Sequence, residues 1–241
     1  MKRILVSVSL VLFAVAAATA QDSDPQHVRQ GFGTPQLILD ILTSARASAS
    51  LEFNGRCSPS VFFPDLPSIR EPEKPYGPLP TNTLRSMFSI DHRMAISEDD
   101  TGIIRVVEAG VQTDILKVKI HHLSFDGISD PDHALHVVLD APEIQSFIKA
   151  HGIGQPFNMY QPSIWAAPGP KAPPVPGVPR ISGELNEVRL ADALDYILKT
   201  FPGFWLYQDC RNADGRRVVY FGLFPEPGKM WLWENDSTSL R

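Results

Sequence analysis

The sequence predicts an α+β fold, built from small strand–helix–strand(–strand) units joined by proline-rich segments. Three observations carry that expectation. Four stretches space their apolar residues as amphipathic helices do, and β-rich stretches fall between them. One order of elements (helix, strand, polar turn with Gly, β-branched strand) occurs at 82–108 and again at 187–224. The prolines are clustered: of 22 in 241 residues, seven fall between Pro59 and Pro80 and eight between Pro156 and Pro179.

The first twenty residues read as an export signal. Lys2 and Arg3 precede an apolar run from Ile4 to Ala18, which ends in Ala18-Thr19-Ala20 before polar Gln21-Asp22. The run is short for a spanning helix, which needs about 20 apolar residues. No later stretch is long and apolar enough to span, so no transmembrane segment is expected after signal removal. The expected location is periplasmic or secreted. Loss of Lys2 and Arg3 takes the net charge from −5 to −7. That acidity argues against a nucleic-acid partner, which needs a basic face.

The first helix is expected to open at Thr34-Pro35, a good N-cap with proline at the first helical position. Its inward stripe is Ile38, Ile41, Leu42 and Ala45. A strand follows over Ser50–Phe53. The second helix is short, capped by Thr81 or Asn82, with Leu84, Met87 and Phe88 inward. Arg93–Ser97 and Ile103–Glu108 flank Asp99-Asp100-Thr101-Gly102, a hairpin turn. Ile115–Phe125 reads as one long strand with a bulge near His121-His122, where the inward phase shifts. The third helix opens at Asp130-Pro131 and buries Ala134, Leu135, Val138 and Leu139. Pro142 should break it, with a short helix following through Ile144, Phe147 and Ile148. The last helix carries Leu190, Ala193, Leu194, Ile197, Leu198 and Phe201, with Asn186 as its expected cap. Phe204–Gln208 and Val218–Phe224 then flank a turn ending Asp214-Gly215.

These boundaries divide the chain into a signal over 1–20 and an α+β body over 31–154 with a proline-rich insertion at 59–80. A proline-rich linker over 155–179, a βαββ module over 180–224 and an aromatic tail over 225–241 follow.

Several residues are candidates for chemistry. His133, His136 and Asp140 cluster within roughly 60° of arc, opposite the apolar side of their helix. Such a cluster suits a transition metal, with His121, His122, Asp126 or Asp132 as a further ligand. A solvated polar face predicts the same placement, and no H-E-x-x-H spacing accompanies it. Neither a nucleophile elbow, a P-loop nor a dinucleotide fingerprint is present, and the sequence implies no cofactor. Cys57 and Cys210 are the only cysteines, and export would favour a disulfide between them. That bond would close a loop worth about 4–5 kcal/mol in the chain-entropy model. Two separate buried thiols and a nucleophilic cysteine are the alternatives. Trp231 and Trp233 have no periodic partner, so they either fold back on the sheet or present a contact surface for a partner.

Ile181-Ser182-Gly183, Leu190-Ala191-Asp192-Ala193-Leu194-Asp195-Tyr196-Ile197-Leu198, Phe204-Trp205-Leu206-Tyr207 and Val218-Val219-Tyr220-Phe221 together resemble the secretin and TonB short N-terminal domain. The resemblance implies a small periplasmic module that docks proteins of envelope secretion or outer-membrane transport, and it carries over no catalytic residue. The module normally precedes a channel or a barrel, and only about 17 residues follow it here. The expected function is a non-enzymatic, exported interaction module with a protein partner in the cell envelope. A secreted metal-dependent hydrolase using the His/Asp cluster and a structural envelope protein with proline spacers are the alternatives.

Overall fold

The computed structural model describes residues 28–29, 33–56, 67, 69–72, 76, 79–158, 177–212 and 214–226. The signal segment, Cys57, most of both proline windows, Trp231 and Trp233 lie outside them. In chain order the elements are β1 (Val28–Arg29), α1 (Gly33–Ala45), β2 (Ser48–Arg56), β3 (Ile69–Arg70), α2 (Pro80–Met87), β4 (Met94–Glu98) and β5 (Ile103–Glu108). A 3-10 turn (Ile115–Lys117), β6 (Lys119–Ile128), α3 (Pro131–Leu139), α4 (Pro142–Ala150) and β7 (Gly154–Asn158) come next. The described chain ends with β8 (Ile181–Arg189), α5 (Leu190–Thr200), β9 (Gly203–Arg211) and β10 (Arg217–Pro225). The fold is α+β.

A mixed six-stranded sheet organises the molecule, in the order β4-β5-β2-β9-β10-β7. β2 is central and runs parallel to both neighbours, β5 and β9. β4 and β10 lie antiparallel to β5 and β9, as the first arm of one hairpin and the second arm of the other. β6 and β8 form a separate antiparallel ribbon, and β1 pairs with β3.

Alternation along the strands makes two cores. On one face Leu51, Phe53, Val106, Phe204 and Leu206 meet Ile38, Ile41 and Leu42 of α1 and Leu84 and Met87 of α2. On the other, Trp205, Tyr207, Phe221 and Leu223 meet α3, α4, α5 and the inner side of the ribbon. The stripe read for α5 is buried throughout, from Leu190 to Phe201. Each such side chain contributes about 1.5–3 kcal/mol of transfer free energy, which holds the helix to β9. Asp130 caps α3 as expected, accepting from the Asp132 amide.

Several boundaries differ from the sequence reading. α2 begins at Pro80, with Leu79 in the cap position, rather than at Thr81 or Asn82. The proline supplies the fixed φ of a first helical residue. Asn186 does not cap α5. Arg189 holds that position, because β8 stays paired with β6 as far as Arg189↔Lys119. Ile115–Lys117 is a 3-10 turn, not the start of a strand. The ribbon's register shift lies between Phe125 and Ile128, not at His121-His122. The irregular residue near the histidines is on the partner strand, where Glu187 has φ 51°.

The division into a body and a separate 180–224 module is also not how the chain packs. β9 lies between β2 and β10, while β8 leaves the sheet to pair with β6. The two helix–hairpin segments share one sheet, but α2 and α5 cover its opposite faces. Two glycines are demanded by geometry. Gly102 closes the β4–β5 hairpin at φ 79°. Gly203 sits at φ 145°, where an added Cβ would fall 2.1 Å from the Phe224 carbonyl oxygen.

Candidate functional site

Strand register decides which part of the sheet a helix can cover. On the α5 side, one row reads Ser97, Arg105, Ser50, Trp205, Leu223 across β4, β5, β2, β9 and β10. The next reads Ala95, Val107, Glu52, Tyr207, Phe221. Apart from Val107, both rows change from polar or small to large and apolar at the β2–β9 step. α5 packs over the apolar half. Ala95 and Ser97 at the polar end are exposed.

A charged clamp marks the boundary. Asp195 of α5 receives Arg105 Nη1 at 2.9 Å, Arg105 Nη2 at 2.6 Å and the Trp205 indole N–H at 2.8 Å. Arg105 also donates from Nε to Asp99 at 2.8 Å and from Nη1 to the Ser50 hydroxyl at 3.2 Å. Burial works against the Arg105 charge, but its bonds with Asp195 and Asp99 outweigh that and raise its pKa. Burial pushes the Asp99 carboxyl up. Bonds from the Thr101 hydroxyl and Arg105 overcome that and hold it at about 2.

Glu52 stands beside this clamp and outside its bonds. It lies half-buried on the central strand, between Val107 and Tyr207, and its carboxylate makes no hydrogen bond or ion pair with any described residue. Burial raises its pKa, against the opposing pull of Arg105 and Lys117. A carboxyl of this kind costs stability, and such groups concentrate at functional sites.

A second network pins the 109–118 loop to the sheet. Arg217 bonds Asp114 at 2.6 Å and Asp209 at 3.1 Å, and the Tyr207 hydroxyl donates to the Gln112 carbonyl at 2.6 Å. Burial raises the Asp209 carboxyl in spite of Arg217, and burial raises Tyr207. Every polar group in this network has a partner, so it reads as structural.

The residues singled out from sequence do not assemble. His133 is exposed, His136 Nε2 lies 3.8 Å from Asp132, and Asp140 ends α3 at the surface. His121 bonds Glu187 at 2.7 Å and His122 bonds Asn186 at 2.9 Å, both across the ribbon. Among the described residues no three His, Cys, Asp or Glu side chains come together to hold a metal. Cys210 is buried on β9 and is not a free thiol.

Sequence reading missed Glu52, Arg105 and Asp195. Signals existed: Arg105 is the single charge within Ile103-Ile104-Arg105-Val106-Val107, and Asp195 follows Leu194 on the edge of the apolar stripe. No family model, curated protein or solved structure matches the chain.

Proposed function

We propose that the protein is an exported, non-enzymatic interaction module of the bacterial cell envelope, which docks a protein partner at the exposed β4 end of its six-stranded sheet. The single observation that carries this is the polar half-face over β4, β5 and β2, continuous with the outer edge of β4. The backbone of that edge is turned outward at alternate residues. Ala109 N–H donates to the Arg93 carbonyl at 2.7 Å, which sets the phase of the ladder. Ala95 and Ser97 therefore bond β5, while Met94, Ile96 and Glu98 turn their amides away from it. The Ile96 carbonyl does face out: it accepts from Arg85 Nη2 at 3.0 Å. An edge of this kind takes an added strand from a partner. The signal-like first twenty residues and the resemblance to the secretin and TonB short N-terminal domain support the envelope setting. No helix among the described residues is long and apolar enough to cross a membrane.

The test is site-specific photocrosslinking of the exported chain in cells. Probes at Ala95 and Ser97 should give a defined protein adduct, and a probe at Ser124 on the ribbon should not. Ile96→Pro deletes an outward amide without removing a β4–β5 bond, and it should abolish the adduct. Adducts from Ser124 of equal strength, or none from Ala95 and Ser97, would sink the docking reading.

A further inference from the structure

We infer that Glu52 is the seat for one basic side chain of the docked partner, a lysine ammonium or an arginine guanidinium. The inference rests on the docking reading for its choice of a protein as the occupant; the site itself is argued from the charges and walls around Glu52.

Charge balance comes first. Asp99 and Asp195 already share one guanidinium, that of Arg105. Glu52 adds a third carboxylate to the same strip of sheet, two residues along β2 from the Ser50 that Arg105 touches. The other cation acting on Glu52 is Lys117, which stands exposed on the 3-10 turn and makes no bond with it. The strip therefore holds an excess of negative charge at a half-buried carboxyl that no guanidinium engages. An incoming cation would pair with Glu52 without displacing any bond of the clamp.

The walls suit a long basic side chain rather than a bare ion. Val107 flanks Glu52 on one side and the ring of Tyr207 on the other, so the approach to the carboxyl is apolar. The methylene stem of a lysine or arginine packs along such a surface while its charged end reaches the carboxylate. Ala95 and Ser97 are exposed on that side, so the side chain enters across β5 from a part of the partner that lies over β4, since a strand added beyond β4 stands about 14 Å from β2, out of its reach. A half-buried carboxylate on a central strand is a cost to the free protein. It is recovered when the partner supplies the missing cation.

The measurement is an NMR titration of the full chain with the end-blocked peptide Ala-Lys-Ala, and with its norleucine counterpart as the uncharged control. The lysine peptide should give saturable shifts at the amides of Glu52, Arg105 and Val107, with a dissociation constant on the order of 1 mM. The norleucine peptide should give none, and Glu52→Gln should weaken the lysine peptide by about tenfold or more. The inference is overturned by equal binding to wild type and Glu52→Gln, by shifts with the norleucine peptide, or by the same shifts from ammonium chloride alone. If Glu52→Gln does not fold, the lysine and norleucine titrations of the wild type decide between the two outcomes. Ile96→Pro should leave the lysine-peptide shifts unchanged. Loss of those shifts with crosslinking intact at Ala95 and Ser97 would reject the Glu52 seat and spare the docking reading.

Discussion

Replacing Asp195 by alanine probes the joint between α5 and the sheet. The carboxylate takes three donors, two from Arg105 and one from the Trp205 indole, and its side chain is 12% exposed. Alanine leaves the Trp205 N–H, in a residue 1% exposed, with no acceptor. That alone costs about 1–3 kcal/mol. Arg105, 21% exposed, keeps Asp99 and Ser50, so its loss is well below the 3–5 kcal/mol typical of breaking a fully buried pair. The expected total is about 2–4 kcal/mol. In a domain of this size that lowers the melting temperature by roughly 5–15 °C, at about 2–4 °C per kcal/mol. Asp195→Asn keeps an oxygen for the indole and should cost about half as much. The assay is urea unfolding followed by circular dichroism, with Asp195→Ala combined with Trp205→Phe in a double-mutant cycle. A cost below about 0.5 kcal/mol, the scale of ordinary surface substitutions, or strict additivity in the cycle, would refute the clamp as the joint.

Asp99 sets an acid limit on the same network. Its folded pKa is depressed to about 2, below the unfolded value near 3.9. Its contribution is therefore present above about pH 4 and is lost as pH falls toward 2. Asp99→Asn should flatten stability across that interval, and an unchanged acid-unfolding profile would contradict the assignment. Cys57 follows β2 directly, and on that strand Gly55 registers with Cys210. Non-reducing peptide mapping of the exported protein should recover Cys57 and Cys210 in one linked fragment. Two alkylated thiols would exclude the bond.

The helices were legible because their information is local. The stripe from Leu190 to Phe201 and the Asp130-Pro131 start each lie within a few turns of chain, and both hold in the structure. Strand identity was partly legible too, since Asp99-Asp100-Thr101-Gly102 announces its hairpin. The errors cluster where a partner strand overrides a local preference. Asn186 is a good cap by composition, yet pairing with β6 keeps it in a strand, bonded to His122. The His/Asp face of α3 followed from helical geometry alone. The same geometry could not say that His121 and His122 are engaged across the ribbon by Glu187 and Asn186.

By itself the sequence determined the α+β class, the inward face of each long helix and the two hairpin turns, because periodicity and turn chemistry act over neighbouring residues. Only the tertiary structure decided that β9 lies between β2 and β10 and that β8 belongs to another sheet. It alone brought Arg105 to Asp195, 90 residues away, and left the Glu52 carboxylate beside them without a partner among the described residues. Strand order depends on contacts between distant segments, and many orders satisfy the same alternation. The exposed β4 end of the sheet, on which the functional reading depends, exists only once one of those orders has been chosen.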